Sequence, residues 1–162
     1  MITEESTARH EAGHAVMYWM LTGHIPSIVV AGGDGHCDGS AMELTEAQDL
    51  HYTLAGFAAE GNYIYIDFDP ANSEASDIDH ARDLIRIKLK RRSSNCGDDR
   101  NTEPTFEEIN NELYDCFGIT CRKLIKKKGA IERIVGEFRR QRDKDPTNSP
   151  ISISEEILSG LL

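Results

Sequence analysis

From Glu4 to Thr22 the apolar residues Ala8, Ala12, Ala15, Val16, Trp19 and Met20 recur at three- and four-residue spacings, the period of a helix with one buried stripe. Gly23 follows as a stop, and Pro26 lies just beyond it. Inside this helix stand His10, Glu11 and His14. Histidines four residues apart project from one helix face, one turn above the other. The plain alternative is two histidines on a solvated or core face with an incidental glutamate. At this composition the pattern His-Glu-x-x-His would arise by chance in about 2% of chains.

Helix signals continue along the chain. Residues 25–31 are short, β-branched and apolar and run into Gly32-Gly33-Asp34-Gly35, which reads as a strand leading into a turn or open loop. Thr45 with Gln48 forms a capping-box pattern that opens a second helix over about 46–66, whose Leu54, Ala55, Ala58, Ala59 and Tyr63 permit close packing. Pro70 lies in the break after it. A third helix is expected over about 76–92, with Ile78, Ala81, Leu84, Ile85 and Leu89 inward, followed by a polar loop over 93–104. Thr105 with Glu108 caps a fourth helix through about Phe117. A fifth is expected from Ile119 to Arg142, weakened near Gly129. A linker over 143–150 precedes a terminal helix capped by Ser152 with Glu155. The fold class is mainly α with one small β element, and 162 residues suit one domain, 1–162, with core helices over about 4–92 and a C-terminal helical part over about 104–162.

Composition narrows the function classes. No apolar run approaches the roughly 18 residues of a membrane span, and the acidic start is unlike a signal peptide, so a cytoplasmic protein without a membrane partner is expected. The cysteines Cys37, Cys96, Cys116 and Cys121 form no metal-finger spacing and read as reduced thiols. Residues 1–81 carry 14 Asp/Glu against one basic residue, Arg9, whereas residues 82–162 carry 17 Lys/Arg against 14 Asp/Glu. The acidic half holds the histidine motif and would repel phosphates, which argues against nucleic acid and for basic or neutral peptides. The basic runs at 88–92 and 126–128 read as solvated helix faces.

Two neutral imidazoles one turn apart can bind a single zinc ion, with Glu11 placed to act as general base on a water at the open position. A third protein ligand is then needed. Glu60, Glu74, Asp77, Asp79 and His80 are candidates, with His24, His36 and His51 weaker ones. Glu60 lies on a helix able to approach the first, and Asp77 lies near a helix start that favours an ionised carboxylate. The residues alone leave Glu60 and Asp77 both open.

The segment Thr7-Ala8-Arg9-His10-Glu11-Ala12-Gly13-His14-Ala15-Val16 resembles the zinc-binding helix of the FtsH family of ATP-dependent zinc proteases. Leu54-Ala55-Gly56-Phe57-Ala58-Ala59-Glu60, Ala75-Ser76-Asp77-Ile78, Ala81-Arg82-Asp83-Leu84 and Ser154-Glu155-Glu156-Ile157 are similar to further segments of its peptidase domain, in the same order. The resemblance implies a helical FtsH-peptidase-like domain that binds Zn2+, with Asp77 as third ligand and Glu60 in a supporting role. It also implies that Ser27, Ile28, Val29 and Val30 form a strand beside the site that holds extended substrate by edge pairing. Phe57 stands where the family has Arg, and the loop 31–36 is unlike the family's. Nine residues precede His10, and no Gly-x-x-x-x-Gly-Lys-Ser/Thr occurs in the chain, so no ATP use is expected of it.

The expected activity is zinc-dependent hydrolysis of peptide bonds in unfolded or flexible polypeptides, with Glu11 as base. A catalytically silent zinc-binding or partner-binding module of the same fold is the alternative. Oligomeric state is left open by the sequence.

Overall fold

The computed structural model describes residues 4–39, 43–61, 76–95, 103–147 and 149–162. The chain is mainly helical. Its elements run α1 (Glu4–Thr22), β1 (Ser27–Ala31), β2 (Asp34–Asp38), α2 (Glu46–Glu60), α3 (Ser76–Asn95), α4 (Phe106–Leu124), α5 (Lys128–Lys144), β3 (Ile151–Ile153) and α6 (Glu155–Leu161).

α1 is the axis of the fold. Every residue from Glu11 to Tyr18 is buried, so the helix is enclosed on all sides rather than along a single stripe. α2 covers one side, α5 another, and the β1–β2 hairpin a third. Met20, expected inward, is 37% exposed because α1 is leaving the core by its last turn. Small residues bring α1 and α2 together. A Cβ on Gly13 would lie 2.4 Å from the Ala55 carbonyl oxygen and 2.8 Å from Ala59 Cβ. α5 is tied to α1 by ion pairs: Arg9 Nη1 and Nη2 reach the two Glu132 carboxylate oxygens at 2.6 and 3.1 Å, and Arg142 reaches Glu4 at 2.5 Å. One continuous cluster of buried residues runs from Ala8 through Leu54, Ile85, Leu113 and Ile134 to Leu158.

Thr45 and Thr105 cap α2 and α4 through complete capping boxes, as their local patterns predict. Helix lengths differ from expectation where stops were misread. Gly61 caps α2 by donating to Phe57 and Ala59 carbonyls, so the helix ends at Glu60 and not near 66. α4 continues past Phe117 to Leu124, because Thr120, Cys121 and Leu124 extend its buried face. The break before α5 is a 3-10 turn at Ile125–Lys127, just ahead of Gly129. Ser154, not Ser152, caps the terminal helix, its hydroxyl accepting from the Ile157 amide at 3.4 Å. Ser152 instead belongs to β3, a strand the short Ile-Ser-Ile alternation conceals. Pro70, Glu74 and Cys96 lie outside the described residues.

The three strands form one antiparallel sheet in the order β2-β1-β3. β1 pairs with β2 from Ser27↔Asp38 to Ala31↔Asp34 across a two-residue turn in which Gly32 takes φ +62°. Its other edge pairs with β3, Ile28 opposite Ile153 and Val30 opposite Ile151. Ser27, Ile28, Val29 and Val30 therefore belong to the central strand, and the expected edge pairing of substrate has no free edge along Ile28, Val29 and Val30, which are paired on both sides. β2, which packs on α1, is the sheet's outer strand on that side.

The basic run at 88–92 is a helix face knitted to neighbours. Lys88 and Arg92 pair with Glu112, Arg91 with Glu46 and Lys90 with Glu103. Cys37, Cys116 and Cys121 are buried free thiols. No described helix is long and apolar enough to cross a membrane.

Candidate metal centre

Three side chains from two helices bring one polar atom each to a single point. His10 Nε2 and His14 Nε2, both from α1, lie 3.0 Å apart. Asp77 Oδ2, from the first turn of α3, lies 3.1 Å from the first and 3.2 Å from the second. Among the described residues this is the group of histidine, cysteine and carboxylate side chains with the spacing to hold a metal ion. Tetrahedral zinc at about 2.0–2.1 Å from its ligands separates them by about 3.3 Å, close to this nearly equilateral triangle.

The far side of each imidazole shows which nitrogen carries the proton. His14 Nδ1 lies 2.8 Å from the Tyr52 carbonyl oxygen, which can only accept, so Nδ1–H donates there. His10 Nδ1 lies 3.2 Å from Glu60 Oε2, and Ser6 donates to the other Glu60 oxygen at 2.8 Å. Both Nδ1 atoms thus act as donors, which leaves both Nε2 lone pairs directed at Asp77 and at each other. Two lone pairs and a carboxylate repel unless a cation stands between them. A zinc ion fits that donor set, and the Nδ1 contacts are the outer contacts that orient metal-binding histidines.

Without a metal a proton has to serve. Burial alone would lower the His10 imidazole, but hydrogen bonds to Asp77 and Glu60 outweigh it and raise it to about 9. Burial would raise Asp77, yet the bonds from His10 and His14 hold it well below the usual carboxylate range. Glu60 is lowered in the same way, by His10 and Ser6 against burial. Glu11 behaves in the opposite sense: burial raises it, and the neighbouring His14 and His10 only partly offset this. A carboxyl raised toward neutrality suits proton exchange with water.

Packing fixes these side chains. Gly56 of α2 lies under the His10 ring, where a Cβ would come within 2.4 Å of Nε2. Phe57 meets the same ring edge-on at 5.1 Å between centroids. Glu11 leans on β2, and a Cβ on Gly35 would lie 2.5 Å from its Cγ. Above the triangle opens a cleft of about 520 Å³, walled by Gly35, His36 and Cys37 of β2 on one side and by Asp49, Tyr52 and Thr53 of α2 with Asp77 and His80 of α3 on the other.

The other candidate ligands stand apart. Glu60 touches His10 on Nδ1, away from the triangle, which matches a supporting role. Asp79 pairs with Arg82 at 2.7 Å, and His80 turns to Asp49 at 3.0 Å. His51 faces α4, where Nδ1 meets the Thr120 hydroxyl at 2.8 Å. His24 follows α1 in an exposed turn, and His36 is an exposed residue on the cleft wall. Glu74 lies outside the described residues. Sequence reasoning missed Ser6, Gly56 and the Tyr52 carbonyl. Ser6 carried a readable signal, since it precedes His10 by one helical turn.

Comparison of the chain with protein-family models and with curated proteins finds no match.

Proposed function

We propose that the chain is a zinc-dependent peptidase acting on unfolded or flexible polypeptides in the cytoplasm, with His10, His14 and Asp77 holding the metal. The observation that carries this reading is the triangle of His10 Nε2, His14 Nε2 and Asp77 Oδ2, with the buried Glu11 carboxyl beside it. A zinc ion bound there supplies Lewis acidity, which acidifies water and polarises a peptide carbonyl. Glu11 accepts a proton from the attacking water as the new C–O bond forms and the carbonyl electron pair moves onto oxygen. When the C–N bond breaks, Glu11 returns that proton to the amine nitrogen. His10 and His14 keep their Nε2 lone pairs aimed inward because Glu60 and Tyr52 hold the Nδ1 protons. Among the described residues Glu11, Asp49 and Asp77 line the cleft and no Lys or Arg side chain does, so a neutral or basic segment is the fitting substrate. The resemblance of the helix 7–16 to FtsH-type peptidase helices supports the same chemistry.

The test is Glu11→Gln. The variant keeps one zinc per chain, while casein cleavage falls at least 100-fold. Asp77→Ala loses the metal and the cleavage together. Unchanged cleavage by Glu11→Gln, or a wild type that takes up no zinc on supplementation, defeats the proposal, and retained zinc without turnover points to a silent binding module.

A further inference from the structure

The contact between His80 and Asp49 takes no part in the metal triangle, yet it stands in the wall of the same cleft. His80 follows Asp77 by three residues on α3, so the two side chains leave one helix face with Cβ atoms about 5–6 Å apart. Asp49 precedes Tyr52 by three residues on α2, and Tyr52 is the residue whose carbonyl receives the His14 proton. The 3.0 Å contact from His80 Nε2 to Asp49 Oδ2 therefore bridges α2 and α3 one turn outward from the triangle. His80 remains 53% exposed and is one of the residues lining the cleft.

Hydrolysis of an amide concentrates negative charge on the former carbonyl oxygen, and an oriented donor aimed at that oxygen is worth most where it needs no rearrangement. Among the described residues no Lys or Arg side chain lines the cleft, and the Tyr52 hydroxyl is engaged with the Cys37 carbonyl at 3.2 Å. His80, one helical turn beyond Asp77 and anchored by a carboxylate, meets the requirement.

We propose that His80 is a catalytic residue that hydrogen-bonds the oxyanion, with Asp49 as the positioning residue that fixes the ring through its contact with Nε2. This rests on the peptidase reading above. His80 gives up no proton in the reaction: both protons gained by the leaving amine come from the attacking water, the first by way of Glu11. His80 contributes a hydrogen bond.

The experiment uses the zinc-loaded full chain as wild type, His80→Gln and Asp49→Asn. Zinc per chain, melting temperature, kcat and KM on a disordered peptide are measured together with affinity for two inhibitors. One is a phosphinic peptide, whose tetrahedral anion mimics the oxyanion; the other is a hydroxamate, whose affinity comes from the metal. His80→Gln is expected to keep its zinc, melting temperature and KM while kcat falls about 10²–10³-fold. Its affinity for the phosphinic peptide falls at least tenfold, and its affinity for the hydroxamate holds. Asp49→Asn shows the same pattern more weakly. Wild-type kcat and phosphinic affinity in His80→Gln overturn the proposal and leave the peptidase reading standing. Loss of zinc, or parallel loss of melting temperature and both affinities, makes the pair a structural clamp and overturns it equally. A zinc-loaded wild type that neither turns over nor binds the phosphinic peptide overturns both readings.

Discussion

His10 is held from several directions at once, and its neighbours differ in what they do for the metal. Asp77 Oδ2 faces Nε2 at 3.1 Å, whereas Glu60 Oε2 faces Nδ1 at 3.2 Å. Only the first of these nitrogens points into the triangle. Glu60→Gln keeps an acceptor of similar shape beside Nδ1 but removes its charge, so the imidazole becomes less basic and less firmly oriented. Zinc affinity is expected to fall about 10–100-fold in that variant, as for other groups that orient metal-binding histidines. Competition against a chromophoric chelator measures it, with Asp77→Ala as the reference for complete loss. Equal loss in the two variants contradicts the separation of roles. Much of this arrangement was hidden in the sequence, since Asp77 and Glu60 have the same chemistry and both lie on helices that reach α1.

At the level of elements, the site exists because α1 and α2 approach closely. Gly13 makes that approach possible, with Ala55 and Ala59 on the opposite helix. In Gly13→Ala the new methyl meets backbone, which cannot swing aside, and the expected cost is about 1–3 kcal/mol of stability. Gly136 on α5 is a fitting control, because nothing lies within 4 Å of a Cβ added there. Gly136→Ala should gain about 0.5–1 kcal/mol from its lower unfolded-state entropy. Urea unfolding of both variants checks the pair, and a neutral Gly13→Ala would show that the helices are free to separate. The small-residue face of α2 was legible at 54–59. Its partner glycine lay inside the histidine motif and looked like part of it.

Across the whole molecule, His51 joins the first half of the chain to the second. Its Nδ1 meets the Thr120 hydroxyl, which itself donates to the Cys116 carbonyl at 2.9 Å, so Nδ1–H donates to the hydroxyl oxygen. Burial, with the charges of Lys123 and Lys88, lowers His51 to about 4. The unfolded chain, with an ordinary value near 6.5, then binds a proton the folded chain refuses. The neutral ring's contribution to stability is complete above pH 6.5 and is lost as pH falls from 6.5 to 4. That loss is about 1–3 kcal/mol, allowing for screening at a partly exposed ring. Comparing the urea stability of wild type and His51→Leu across this window isolates it. The wild-type curve should fall more steeply, and parallel curves would mean that His51 protonates without resistance.

The sequence by itself determined what lies within a turn or two of helix. His10 and His14 share one face of α1 because four residues make about one turn, and Thr45 and Thr105 start helices because a side chain three residues later can reach back to them. Tertiary structure alone decided the rest. Asp77 lies 67 residues from His10, and its position depends on α3 docking beside α2, as does the turn of His80 toward Asp49. Strand order depended on β3, which arrives more than a hundred residues after β1 and closes the edge that Ile28 and Val30 would otherwise present. Local backbone preference acts over one or two turns of chain. The meeting of distant side chains is set by how closely helices pack, and a glycine reveals that only when its neighbour is known.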